Sequence, residues 1–208
     1  VANAVPTFGF ESVPTVYQIL KALNNLYPEI IKNRSNLMIV SPDEGAISRS
    51  MYYASVLGVP LGTFYKRRDY TTIKNGRNPI IAHEFLGDSV EGKDVLIVDD
   101  MISSGESMLN LARQLKQRNA NRIFCAATFG LFTDGLESFN KAYEEGYLDR
   151  IFCTNLTYRL PELFDAPWYC DVNLAKFVAL LIDAVNHNAS LSSLIDPSVK
   201  IRKLLGSA

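Results

Sequence analysis

The sequence predicts an α/β domain built on a doubly wound, mainly parallel β-sheet, and three observations lead there. Short apolar runs of strand length alternate with amphipathic stretches of helical period along most of the chain. The run Val95-Leu96-Ile97-Val98 is apolar at every position, as in a parallel strand buried on both faces. Two carboxylates, Asp99 and Asp100, follow it, and a Ser/Gly loop then feeds a helical pattern. Open α/β sheets bind ligands at that end of their strands.

Taken in order, residues 14–26 read as a helix with Val16, Ile19, Leu20 and Leu23 on one face, and Pro28 stands near its end. Residues 37–40 form a strand, and Ser41-Pro42-Asp43-Glu44-Gly45 leads into a helix that reaches Leu57 and stops at Gly58. Residues 61–65 make the next strand, ending at Lys66-Arg67-Arg68. The polar stretch 69–83, with Asn75-Gly76, reads as a long loop. Residues 84–86 and 94–98, separated by Gly-rich turn chemistry, suggest an antiparallel excursion before the central strand. Met108, Leu111, Ala112 and Leu115 give the following helix its apolar face. A strand over 122–128, a helix over 135–145 and a strand over 150–154 come next. Residues 168–171 suit a last short strand and 174–185 a final amphipathic helix, with the tail from Asn186 onward weakly structured.

Composition narrows the function classes. With 208 residues and 48% hydrophobic content, the chain can bury a real core as one domain over residues 1–208. A net charge of −1 gives no general attraction to nucleic acid or to an anionic membrane, so an anion site must be local. The three cysteines, Cys125, Cys153 and Cys170, lack metal-ligand spacing and read as free thiols of a reducing cytoplasm. No apolar stretch is long enough to span a bilayer, and no signal peptide is visible. The first residue is Val1 rather than Met, as in a processed or excised piece.

The segment 99–107 carries most of the chemistry. Its loop would expose backbone N–H groups at a helix N-terminus, a ready phosphate site. The acidic pair offers the acceptors that vicinal ribose hydroxyls require. Another reading of the same residues is a capping box, with Ser103 as N-cap and Glu106 reaching back. Asp43 could equally be an ordinary N-cap after Pro42. His83 and His187 are far apart and unpaired in sequence, and neither suggests a metal site or a general base.

Asp99-Asp100-Met101-Ile102-Ser103-Ser104-Gly105-Glu106-Ser107 resembles the phosphoribosyl-diphosphate (PRPP) motif of the type I phosphoribosyltransferase fold. Ser41-Pro42-Asp43 with Gly45, the Lys66-Arg67-Arg68 cluster, Val90-Glu91-Gly92-Lys93 and Ala127-Thr128-Phe129-Gly130 narrow the resemblance to the ribose-phosphate diphosphokinases, over roughly residues 3–195. It covers only the later part of that family's chain, so the family's upstream domain would precede Val1. The resemblance implies transfer of diphosphate from Mg²⁺-bound ATP to ribose 5-phosphate, making PRPP for nucleotide biosynthesis in a cytoplasmic homo-oligomer. It assigns the ribose 5-phosphate to Asp99, Asp100, Ser103, Ser104, Gly105, Glu106 and Ser107. It assigns the divalent metal to Asp43, and charge stabilisation during transfer to Lys66 and Arg68 of a mobile loop.

Two departures mark a divergent member. Ser103 stands where the family usually has Asp, and Glu106 where it has Gly. A carboxylate at 106 would repel a phosphate unless it points outward. A regulatory subunit that binds ribose phosphates without turnover, and a phosphoribosyltransferase of base salvage, are therefore the alternative functions.

Overall fold

A computed structural model of the chain describes residues 12–68 and 80–206, with 66–68 and 80–83 given as backbone. Helix α1 (Val16–Leu26) buries Val16, Ile19, Leu20 and Leu23, the face its spacing predicts. Pro28 opens a short helix α2 (Pro28–Lys32), where its missing N–H would have had no partner anyway. Strand β1 (Leu37–Ser41) is buried throughout. Helix α3 (Ile47–Leu57) ends at Gly58, whose φ of +67° lies in the left-handed region that glycine enters freely. Next come strands β2 (Leu61–Arg68), β3 (Ile80–Leu86) and β4 (Asp94–Ile102), then helix α4 (Glu106–Gln117). β5 (Ile123–Gly130), α5 (Glu137–Glu144), β6 (Arg150–Thr154), β7 (Tyr169–Val172) and α6 (Ala175–Asn186) complete the alternation.

The strands form one sheet in the order β3-β2-β1-β4-β5-β6-β7. Every neighbouring pair is parallel except β2–β3. Each face carries its own core. Val95, Ile97 and Cys125 meet α4, α5 and the Trp168 region. Leu96, Val98 and Phe124 meet α1, α3 and α6 on the other face. That alternation explains why the central runs are apolar at every position. Trp168 is fully buried and donates its indole N–H to Asn140 Oδ1 at 2.7 Å, while Cys125 and Cys153 are buried free thiols.

Several expectations need correction. β4 runs to Ile102, because β5 continues to pair with it at Met101↔Phe129 and Ile102↔Gly130, so Asp99 and Asp100 lie within the strand. β3 begins at Ile80, four residues before the expected start; it is the antiparallel excursion the sequence suggests, paired with β2. The expected long loop at 69–83 falls mostly outside the described residues. The tail is not weakly structured: α7 (Ser192–Ile195) and α8 (Ser198–Leu204) fold back, and Ile201 is 1% exposed in the second core. Leu194, Ile201, Leu204 and Leu205 supply an apolar face that packs there.

The start of β4 is pinned by charge. Asp94, 5% exposed, accepts hydrogen bonds from Asn121 Nδ2 at 2.8 Å and from Arg122 Nε and Nη2 at 3.1 and 2.8 Å. Arg122 also pairs with Glu29 at 2.8 Å and holds that carboxyl below its ordinary range. Asp94→Asn should cost about 1–2 kcal/mol in urea unfolding, since charge-assisted bonds to a buried carboxylate are lost while the shape is kept. An unchanged midpoint would refute this role.

Candidate functional site

Strand β1 stops short of its neighbours, and this makes the site. Ser41, its last residue, pairs with Thr63, and Val40 pairs with Ile97. Ser41 thus stands level with Val98. Beyond that level β2 continues for five residues to Arg68 and β4 for four, Asp99 to Ile102. At about 3.3 Å per residue, β2 overhangs the end of β1 by roughly 17 Å and β4 by roughly 13 Å. The gap lies where chain progression reverses, with β1 feeding β2 on one side and β4 feeding β5 on the other. Ligands of open α/β sheets sit at such switch points.

The floor of the gap is the turn after β1. Ser41 Oγ donates to the Asp43 carbonyl at 2.8 Å, and Asp43 Oδ1 accepts the Ala46 N–H at 3.2 Å. Asp43 therefore does cap the turn Glu44–Ala46, and its side chain also lines the cleft described next.

The wall comes from the β4–α4 loop. Helix α4 starts at Glu106, and Gly105, at φ +82°, is the N-cap with no side-chain cap bond. The capping box is thus overturned: Ser103 lies too far upstream, and its hydroxyl sits 3.4 Å from Thr133 Oγ1 instead. Ser104 Oγ accepts the Glu106 N–H at 3.4 Å. The loop is held from behind, with the Leu131 N–H donating to the Ile102 carbonyl at 2.8 Å and the Thr133 N–H to the Ser103 carbonyl at 3.0 Å. Ser107 and Met108 stand in the first turn, whose N–H groups have no acceptor within the helix.

Together these pieces enclose a cleft of about 210 Å³ lined by Asp43, Asp99, Ser103, Ser104, Gly105 and Ser107, with Met108 and Leu111 as its apolar base. The remaining residues singled out from sequence lie elsewhere. Successive strand residues face opposite sides; Asp100 does not line the cleft, and its side chain is 58% exposed. Glu106 lines a neighbouring surface groove with Arg113 and Lys141 and does not line the cleft. Lys66 and Arg68 lie on the overhanging end of β2, and their side chains are outside the described residues.

One participant was missed from sequence. Arg49, in the first turn of α3, places Nη1 3.6 Å from Asp99 Oδ1 and Nη2 3.6 Å from Asp100 Oδ2. Burial pushes the Asp99 carboxyl up to about 6, reinforced by the nearby Asp100 and Asp43 charges and opposed by the Asp100 N–H that it accepts at 2.8 Å. The available signal was topological: the helix following β1 lies beside β4, so a cation in its first turn can reach carboxylates there.

The phosphoribosyl transferase domain family matches residues 12–144. A ribose-phosphate pyrophosphokinase of Mycoplasma pneumoniae is 32% identical over 164 residues, covering 77% of this chain and 47% of that protein. One from Wolinella succinogenes is 31% identical over 193 residues, covering 89% of this chain and 56% of that one. The chain thus spans about half the length of the curated relatives it matches. Phosphoribosylpyrophosphate synthetase from Mycobacterium smegmatis shares the fold, at a TM-score of 0.63 and 24% identity over 83% of this chain and 51% of that one. With the family match spanning the short β1, the Asp99 strand and the Ser103–Ser107 loop, the chain belongs to the phosphoribosyl transferase domain family.

Proposed function

We propose that this chain carries the ribose 5-phosphate half of a ribose-phosphate diphosphokinase, which transfers diphosphate from ATP to the sugar to make PRPP. The observation that carries this reading is the convergence of Asp43, Asp99 and the 103–107 loop on one cleft at the sheet's switch point. The likeness to ribose-phosphate pyrophosphokinases over most of the chain supports it.

In this reading the 5-phosphate sits on the first-turn N–H groups of α4 and the hydroxyls of Ser104 and Ser107. Ribose hydroxyls donate to Asp99. The 1-hydroxyl oxygen bonds to the β-phosphorus of ATP, the bond from that phosphorus to the α,β-bridging oxygen breaks, AMP departs and the hydroxyl proton is released. Charge on the transferring oxygens calls for positioned cations more than for covalent chemistry, the role proposed for Lys66 and Arg68. Asp43 and Asp99, lining one cleft, would hold a Mg²⁺ ion through their carboxylate oxygens. When bound, that ion supplies neutralisation of the phosphate oxygens. A cytoplasmic homo-oligomer completes the proposal.

A second reading, binding without turnover, is favoured by Asp100 lying outside the cleft and by Ser103 in place of a carboxylate. Two measurements separate them. Ribose 5-phosphate should shift the backbone amides of 103–107 in a saturable titration, and AMP should appear when ATP and Mg²⁺ are added. AMP release selects the diphosphokinase; shifts without it show ribose-phosphate binding without turnover in this chain by itself, and unmoved loop amides sink both readings.

A further inference from the structure

The two adjacent carboxylates of β4 are not equivalent. Asp99 shares a face with Val95 and Ile97, and it lines the cleft. Asp100 shares the opposite face with Leu96 and Val98, against which Tyr53, Ala54 and Leu57 of α3 pack. Arg49 of α3 reaches both: Nη1 stands 3.6 Å from Asp99 Oδ1 and Nη2 stands 3.6 Å from Asp100 Oδ2. One planar guanidinium thus ties together side chains from opposite faces of the strand. Beside it, the buried Ser50 hydroxyl donates to the Val98 carbonyl at 3.5 Å, so two successive residues of α3 grip this end of β4. Asp99 Oδ1 also accepts the Asp100 N–H at 2.8 Å. Both contacts fall on one oxygen and fix how that carboxylate is turned.

The position of Arg49 along the chain gives this clamp its consequence. Asp43 caps the turn Glu44–Ala46, and α3 starts at the next residue, Ile47. Arg49 therefore belongs to the same short, hydrogen-bonded piece as Asp43. Holding Arg49 against β4 holds Asp43 at a set separation from Asp99, and these are the two carboxylates that line the cleft. Without a cation among them, the three like charges of Asp43, Asp99 and Asp100 would push one another apart.

We propose that Arg49 is a positioning residue of the cleft and that Asp100 acts through it. Asp100 anchors the guanidinium, the guanidinium sets the geometry of Asp43 and Asp99, and Asp100 itself touches no ligand. This rests on the ribose 5-phosphate reading of the cleft, and it departs from the expectation that both carboxylates bind the sugar.

The test titrates the loop amides of the whole 208-residue chain at pH 8 with ribose 5-phosphate and with inorganic phosphate, which engages the 103–107 loop alone. Wild type should prefer the sugar phosphate. Arg49→Gln, which breaks two partly exposed ion pairs, should lower ribose 5-phosphate affinity about three- to tenfold and leave phosphate affinity within about twofold. General loosening of the fold would not give that split. Asp100→Asn should also weaken sugar binding, and the double variant should be no worse than Arg49→Gln alone, because the second change acts through a group already gone. Arg49→Lys keeps the charge but not the fork, so it should restore only part of the loss; it also replaces Arg49→Gln in the cycle if that variant folds poorly. Additive losses would show that Asp100 meets the sugar directly. Phosphate affinity falling in step with sugar affinity would reduce Arg49 to a general structural role, and full recovery with lysine would leave charge rather than geometry as the cause. Each of these overturns the proposal, as does unchanged sugar affinity in Arg49→Gln. A wild type that binds phosphate as tightly as ribose 5-phosphate removes the ribose reading itself, and the clamp with it.

Discussion

Gly105→Ala is expected to lower stability by about 2–5 kcal/mol and to abolish ribose 5-phosphate binding at the 103–107 loop. Two independent penalties act. At φ +82° an L-residue is strained, typically by about 1–2 kcal/mol. A Cβ there would also lie 2.0 Å from Phe139 Cζ, and overpacking of that kind costs about 1–3 kcal/mol more. Phe139 has nowhere to go, being fully buried, stacked on Trp168 at 5.2 Å and edge-on to Phe132 at 5.1 Å. Relief must therefore come from the loop, which would swing the first-turn N–H groups of α4 out of the cleft. Adding Phe139→Leu to Gly105→Ala should recover part of the stability by removing the clash while leaving the φ strain. Urea unfolding and phosphate titration measure both effects, and a variant with wild-type midpoint and affinity would show that the loop is not held as described.

What the sequence made legible follows from how each signal arises. Buried strands and helix faces are written in local apolar periodicity, so α1, β1 and β5 emerged near their true bounds and α4 by its buried face. The end of β4 was not local: Asp99 to Ile102 are held in strand by β5 across the sheet, which no polar run of residues announces. That error placed Asp99 and Asp100 side by side after the strand, whereas strand alternation sends only Asp99 into the cleft. Arg49 escaped for the same reason, since its partners are about fifty residues away and are set by β1–β4 adjacency. Helix α8 is short and flanked by Pro197 and Gly206, so its stability comes from packing on α1 rather than from its own propensity. The 103–107 loop as a cleft wall was readable because small hydroxyl residues and a glycine in one contiguous run are a local signal.

Asp99→Asn should make the protein more stable at pH 8 while impairing its proposed ligand binding. The carboxyl is pushed up to about 6 from 3.8, mainly by burial, so the folded state favours its protonated form. Its contribution is fully present below about pH 4, where the unfolded chain is protonated as well, and is lost as pH rises through 6. With the side chain 28% exposed, the cost of ionisation is on the order of 2 kcal/mol after solvent screening is allowed for. Asparagine avoids that cost, so the variant should gain about 1–2 kcal/mol at pH 8 and almost nothing at pH 4. Ribose hydroxyls, however, need the ionised acceptor. Wild-type affinity for ribose 5-phosphate should climb as pH passes 6, and the variant should lose about 10–100-fold at pH 8 with a flatter profile. Arg49→Gln removes the guanidinium that favours the ionised form, and should move the wild-type rise to higher pH. A variant destabilised at pH 8, or an affinity indifferent to pH between 5 and 8, would show that Asp99 carries no such tension between folding and binding.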